Sequence, residues 1–296
     1  MWLETNVVNW KGMIRIMDKL IVKEKDKIYN YLRNNLKHKS KNNIKTLLHN
    51  ECIYVNDKLV TKYDYIVNIN DIITINKNIN STTFNLKIIY EDNDIIVVDK
   101  PSKILTISNK NEKEKTLYRE VSNYLKKKNT KVFIIHRLDY DTSGVIMFAK
   151  NKKVQELYQN SWNTLAKKRE YTTIVEGITN SRGHIESYLK TSKTLKVYST
   201  KNKDGLFSIT DYERIKYNNK YSMLRIIIST GRRNQIRCHM SDIGHPIIGD
   251  SRYHSKDNPL NRLALHANKL EITNPITNKL MIFISDIPEE FNNIIK

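Results

Sequence analysis

A chain of 296 residues with 51 Lys+Arg against 31 Asp+Glu carries a formal charge of +20, which points to an anionic partner, nucleic acid first. Hydrophobic residues make up 39%, enough for the cores of one or two domains, and no run approaches the ~20 apolar residues of a membrane span. Cys52 and Cys238 form no CxxC or metal-ligand cluster, and Met1-Trp2-Leu3-Glu4 lacks a secretory start, so a reducing, cytoplasmic setting without structural metal is expected.

Residues 1–17 carry no motif and are expected to be an extension. From Lys25 to Leu36 the apolar residues Ile28, Tyr29, Leu32 and Leu36 fall at helical spacing. Ser40 can cap a second helix over 41–50 that turns Ile44, Leu47 and Leu48 inward. Short strands follow at 52–55, 59–60 and 71–75, with a turn at Asn56-Asp57. Two helices, this turn and an Asp-Ile-Ile-Thr-Ile strand resemble the alpha-L RNA-binding domain of small-subunit ribosomal proteins. Between 23 and 45 there are eight Lys/Arg and two Asp/Glu, so the charge gathers on the helices. The expected RNA contacts are Lys37, Lys39, Lys41 and Lys45.

The domain is expected over 18–77, a patternless linker over 78–86, and a second domain over 87–296. That second domain opens with β-type runs at 87–91 and 94–99, then a helix over about 113–128. A further amphipathic helix over 151–167 leads to a long strand-rich stretch ending at Ile228. Between the apolar runs 132–135 and 145–149 stands the polar segment His136-Arg137-Leu138-Asp139-Tyr140-Asp141-Thr142-Ser143-Gly144. A polar segment between two strands reads as a site loop, and Gly144 permits a close approach that a Cβ would forbid.

His136-Arg137-Leu138-Asp139, two further residues, then Thr142-Ser143-Gly144 resemble the signature of the RluA-type pseudouridine synthases. Asp99-Lys100-Pro101 resembles the family's opening motif, with Lys103 where a Gly is usual. Tyr171, opening a strand after Lys168-Arg169-Glu170, resembles a second. Thr230-Gly231-Arg232-Arg233-Asn234-Gln235-Ile236-Arg237-Cys238-His239 resembles a third, with Asn234 in place of a His. Gly244-His245-Pro246 and Leu263-Ala264-Leu265-His266 resemble later motifs. The resemblance runs in order from about 88 to 291.

It implies an α+β catalytic domain on a large mixed, mostly antiparallel sheet, and a cofactor-free isomerase that breaks the N1–C1′ bond of uridine and rejoins the base through C5. The target base must leave its stack to be reached. In the roles the resemblance implies, Asp139 is catalytic, Arg237 pairs with it and Tyr171 lies beside it near C5. An Arg beside an Asp keeps the carboxylate ionised, and loss of the C5 proton calls for an acid–base group. Arg137 would hold the flipped nucleotide, with His136 and Thr142 at the substrate, and Ile236 and Leu265, read as strand residues, would sandwich the uracil. The expected partner is structured RNA, large-subunit ribosomal RNA first and transfer RNA as the alternative, bound by a monomer with no membrane involved. An RNA-binding protein with a decayed site is the competing class, resting on Lys103 and Asn234. An RNA methyltransferase is a third, set aside because no glycine-rich cofactor loop follows a first strand.

Overall fold

The computed structural model describes residues 15–37, 39–49, 52–77, 86–108, 112 and 115–296, and the chain divides into two compact units, Met1–Phe84 and Asn85–Lys296. The first unit contains β1 (Arg15–Ile21), β2 (Asp26–Lys27), α1 (Ile28–Asn35), α2 (Lys41–His49), β3 (Ile53–Val55), β4 (Lys58–Leu59), β5 (Ile66–Val67) and β6 (Ile72–Lys77). Four of its strands form a sheet in the order β1-β6-β3-β4, and β2 pairs β5. Ile28 and Leu32 of α1, with Leu36 after it, meet Ile44 and Leu48 of α2 over Ile53, Val55, Ile73 and Ile75, and all are buried. Fully burying an apolar side chain of this size contributes roughly 1.5–3 kcal/mol, so this small core accounts for the helical spacing. Ser40 caps α2 as expected, its Oγ accepting from the Asn43 N–H at 3.2 Å.

The turn between β3 and β4 has no glycine. Asn56 and Asp57 both take left-handed backbone angles, with φ of 48° and 64°. Two successive positive φ values make the turn that matches strand twist in a two-residue hairpin, and Asn and Asp are the non-glycine residues that tolerate it best. The extension expected over 1–17 gives way sooner. Arg15–Met17 already belong to β1, which pairs antiparallel with β6 from Arg15↔Lys77 to Ile21↔Ile72 and covers an edge that β6 would otherwise expose. Residues 1–14 lie outside the described residues, as do 78–85 of the linker.

The second unit runs β7 (Lys87–Glu91), β8 (Ile95–Lys100), α3 (Leu117–Lys126), β9 (Phe133–Ile134), β10 (Ser143–Ala149), α4 (Lys152–Asn160), α5 (Trp162–Leu165) and β11 (Ala166–Glu176). It continues with β12 (Arg182–Thr191), β13 (Val197–Thr200), β14 (Leu206–Tyr217), β15 (Tyr221–Ile228), α6 (Gln235–Asp242), β16 (Leu265–Thr273), β17 (Leu280–Ile284) and α7 (Glu289–Ile294). Eleven strands form one sheet in the order β13-β12-β14-β15-β11-β16-β10-β8-β7, with β17 added to β16 and β9 to β10. The fold is α+β, and among the described residues the one parallel pairing between its strands joins β10 to β16 at Ser143↔His266 and Gly144↔Ala267. Every residue of β10 is buried, as its unbroken apolar run requires of a strand covered on both faces.

Two helices differ from their expected bounds. The one placed over 113–128 starts at Leu117, because Thr116 caps it by accepting from the Arg119 N–H at 3.2 Å. The one placed over 151–167 breaks at Ser161, whose φ and ψ of −119° and 19° leave the helix, and from Ala166 onward the backbone joins β16 instead. Among the described residues no helix is long and apolar enough to cross a membrane.

Candidate active site

Asp139 lies on the loop between β9 and β10, and that loop is pinned from four directions. The Thr106 hydroxyl donates to the Leu138 carbonyl at 2.8 Å and accepts the Leu138 N–H at 3.3 Å. The Ser102 hydroxyl donates to the Asp141 carbonyl at 2.8 Å. Lys100, at the end of β8, is wholly buried, and its Nζ donates to the carbonyls of Tyr140, Pro101 and Ile104 at 2.9–3.1 Å. Within the loop, the Thr142 N–H closes a turn on the Asp139 carbonyl at 3.2 Å. Burial pulls the Lys100 pKa down to about 7, partly opposed by Asp139 and Asp141 nearby.

The far end of the loop is fixed by the parallel contact. Gly144 has φ of +111°, and a Cβ there would stand 2.1 Å from the Ala267 carbonyl oxygen, so only glycine lets β10 approach β16. Ser143 Oγ lies 2.8 Å from His266 Nδ1 and accepts from Arg262 Nη2 at 2.6 Å.

His136 is a wall residue. Its Nε2 accepts the Met147 N–H at 3.0 Å, and its ring stacks on Trp162 with centroids 4.6 Å apart. Burial, with Arg169 close by, pushes its pKa down to about 3, so the ring is neutral, as an acceptor must be. Arg137 is exposed on the rim and makes no hydrogen bond or ion pair among the described residues.

Two cavities meet at this loop. One of about 460 Å³ is bounded by His136, Thr142, Tyr171, Ile236 and Leu265 among others. The other, of about 530 Å³, reaches Asp141, Asp250 and Arg252. Arg137, Asp139, Asn234 and Arg237 border both. The structure thus gathers Asp139, Tyr171, Arg237, Arg137, His136, Thr142, Ile236 and Leu265 around one space.

Tyr171 is positioned by a break in strand pairing. Along β11 the register with β16 shifts between Glu170 and Thr172, while Tyr171 still pairs Ile226 of β15. Such irregularities re-aim side chains beside sites. Burial and the neighbouring Asp139 push its pKa up to about 12, partly opposed by Arg169, so the phenol is protonated at neutral pH.

Two expectations are corrected. Ile236 stands on α6 and not on a strand: the chain turns at Asn234, with φ of 51°, and the Cys238 N–H bonds back to the Asn234 carbonyl at 2.9 Å. Ile236 and Leu265 nevertheless both face the smaller cavity and are almost wholly buried. Arg237 does not hydrogen-bond to Asp139. Its Nε and Nη2 donate to Asp250 Oδ2 and Oδ1, both at 2.7 Å, and Nη1 donates to Asn234 Oδ1 at 3.3 Å. Asp139 still contributes to raising the Arg237 pKa, after the bonds to Asp250.

The two departures from the family pattern occupy special backbone positions. Lys103 has φ of 61° where glycine is usual. Asn234 also lies in the left-handed region, which Asn tolerates better than most residues, and its Nδ2 donates to the Tyr253 hydroxyl at 3.3 Å. Sequence reading missed Thr106, Asp250 and Arg169, and left Lys100 without a task. Only Lys100 had a signal, a lysine closing an apolar strand.

In the first unit Lys37, Lys41 and Lys45 are exposed and Lys39 is half-buried. Lys45 Nζ stands 5.9 Å from the Tyr29 ring centroid.

Comparison with known proteins gives the same reading. Residues 94–242 match the family described as RNA pseudouridylate synthase. The "Uncharacterized RNA pseudouridine synthase YhcT" of Bacillus subtilis (strain 168) is 30% identical over 214 residues, 71% of each chain. The "Ribosomal large subunit pseudouridine synthase D" of Buchnera aphidicola subsp. Baizongia pistaciae is 29% identical over 297 residues, 92% of each chain. The solved "Human RNA Pseudouridylate Synthase Domain Containing 1" superposes with a TM-score of 0.60 over 70% of this chain and 86% of that one, at 22% identity, and speaks for the fold. Sheet, loop and cavity together define a pseudouridine synthase catalytic domain. The chain belongs to the RNA pseudouridylate synthase family, in its RluA-type branch, and is an isomerase acting on RNA.

Proposed function

We propose that this enzyme isomerises uridines of large-subunit ribosomal RNA through Asp139. The observation that carries the site assignment is the loop itself: Lys100, Ser102, Thr106 and Gly144 all act to fix the backbone on either side of one carboxylate that borders both cavities. A catalytic group must be held within a fraction of an ångström of its working geometry, and a merely solvated Asp needs no such support. In this reading Asp139 acts at the ribose, and Ile236 and Leu265 enclose the uracil. Tyr171 lies by C5 and assists loss of its proton through the hydroxyl. Arg237 supplies positive potential from its seat on Asp250. Arg137 on the rim holds the flipped nucleotide, with His136 and Thr142 forming the wall and floor.

The ribosomal target is supported by the Buchnera relative, whose match spans nearly the whole chain, first unit included. Residues 18–77 are proposed as an alpha-L module that grips RNA through Lys37, Lys39, Lys41 and Lys45. The test maps pseudouridines in total RNA from cells with and without the gene. Loss of one or more sites in large-subunit ribosomal RNA is expected; loss confined to transfer RNA would redirect the target. Replacing the four lysines together should weaken binding and reduce the salt slope by roughly one unit per lost phosphate contact, with the fold intact.

A further inference from the structure

Arg169 is a buried cation with no acidic partner among the described residues. It stands two residues before Tyr171 on β11, so both side chains share a strand face. Both border the smaller cavity. Arg169 is only 8% exposed, and among the described residues it has no carboxylate partner. One guanidinium nitrogen, Nη2, donates to the Ser229 carbonyl at 2.5 Å, while Nε is buried with no hydrogen-bond partner among the described residues. Room for the group is made by Gly231, where a Cβ would stand 3.0 Å from Arg169 Nη1. The cavity is bordered by five arginines, Arg137, Arg169, Arg232, Arg233 and Arg237, against the lone carboxylate of Asp139.

A buried guanidinium loses its hydration at a cost that a negative group would offset, and each N–H left without an acceptor adds to that cost. Arg237 is answered by Asp250; among the described residues Arg169 has the Ser229 carbonyl but no negative group. The reaction supplies the missing charge. When N1–C1′ breaks, its electron pair leaves with the base, and the uracil carries a negative charge spread over N1, O2 and O4. The charge is discharged when C5 bonds to C1′, the C5 proton is lost and N1 gains a proton, so atoms and electrons balance without a co-reactant.

We propose that Arg169 is a substrate-contacting residue whose guanidinium donates to a uracil carbonyl oxygen and stabilises the detached base while it turns from N1 to C5. This rests on the assignment of the cavity as the uracil site. A donor placed where charge develops, in a site closed to water, commonly accelerates the step by ~10²–10³-fold. Arg169 is then silent in RNA affinity, which depends on many phosphate contacts, and decisive in turnover.

The test uses the full chain and total RNA labelled with tritium at C5 of uridine, prepared from cells lacking the gene. Single-turnover tritium release, filter binding and thermal unfolding are followed for the wild type, Arg169→Gln, Arg169→Ala and Asp139→Asn. Arg169→Gln should release tritium ~10²-fold more slowly or worse, with RNA affinity within about twofold. Millimolar guanidinium should restore Arg169→Ala at least tenfold, while urea, of the same shape but uncharged, should not. Unchanged release in Arg169→Gln, rescue by urea equal to that by guanidinium, or a loss that only tracks a fall in unfolding temperature would overturn the proposal. Asp139→Asn reports separately on the site assignment, since Arg169 is judged by the ratio of its own variants to wild type.

Discussion

Arg237 grips Asp250 through two parallel hydrogen bonds of 2.7 Å, and Asp250 is almost completely buried beneath it. The pair fixes the guanidinium at the mouth shared by both cavities while leaving the Asp139 carboxylate unoccupied by it. Removing one partner of a buried ion pair leaves an uncompensated charge and typically costs ~3–5 kcal/mol. Asp250→Ala is therefore expected to lower unfolding stability by about that amount and to slow tritium release at least tenfold. Denaturant melts beside the release assay check it; an unchanged midpoint with normal release would show that the pair does nothing for fold or site.

Lys103 is held in the left-handed region, where a side chain costs ~1–2 kcal/mol. Glycine removes that cost but adds ~0.5–1 kcal/mol of unfolded-state freedom. With the Lys103 side chain exposed, Lys103→Gly should stabilise by up to ~1 kcal/mol, a rise of roughly 2–4 °C in a unit of this size, with activity kept. A lower melting temperature would mean that the lysine has a role its exposure conceals.

His136 makes stability depend on pH with a definite sign. Its folded pKa is near 3 and its ordinary value 6.5, so unfolding takes up a proton between those limits. Stability should be fully present above pH 6.5 and fall as pH drops through that window, because a protonated Nε2 cannot accept the Met147 N–H. Subtracting the stability curve of His136→Gln isolates the term. The difference should be flat above about pH 7.5 and shrink towards pH 3; a flat difference throughout would mean that His136 does not titrate with unfolding.

Tyr171→Phe keeps the ring against the cavity and removes only the hydroxyl. Tritium release should fall by ~10²-fold or more, in the range of a positioned acid–base group, while RNA binding is unchanged. Since burial holds the phenol protonated up to about pH 12, the wild-type pH–rate profile should show no inflection from Tyr171 near its ordinary value of 10. Wild-type rates in Tyr171→Phe would leave the residue as wall alone.

The parts of this protein legible in the sequence are those written in local order. The α1 spacing, the Ser40 cap and the loop from His136 to Gly144 depend on residues within a few positions of one another. Contacts that close over long separations left no mark. β1 carries Ile16, Met17, Leu20 and Ile21 in two adjacent pairs with no strand alternation, and its pairing with β6, some fifty residues on, makes it a strand. Nothing near Arg237 signals that Asp250 and not Asp139 will hold it. Ile236 looked like a strand residue because its apolar neighbours are too few to show a helical period, and the turn that starts α6 comes from an Asn in a left-handed conformation. Arg169 passed unnoticed among Lys167, Lys168 and Glu170, where alternation alone decides which side chain faces inward.

Asp139 is proposed to perform the chemistry and to contribute little to holding RNA. The direct measurement is tritium release from C5-labelled RNA by Asp139→Asn, beside filter binding of the same RNA. Asn keeps the shape and hydrogen bonding of Asp but can serve neither as nucleophile nor as base, and a group of that kind contributes at least ~10²–10⁴-fold. No detectable release is expected, with RNA affinity equal to wild type or slightly tighter for the loss of one negative charge. Near-normal release by Asp139→Asn would contradict it.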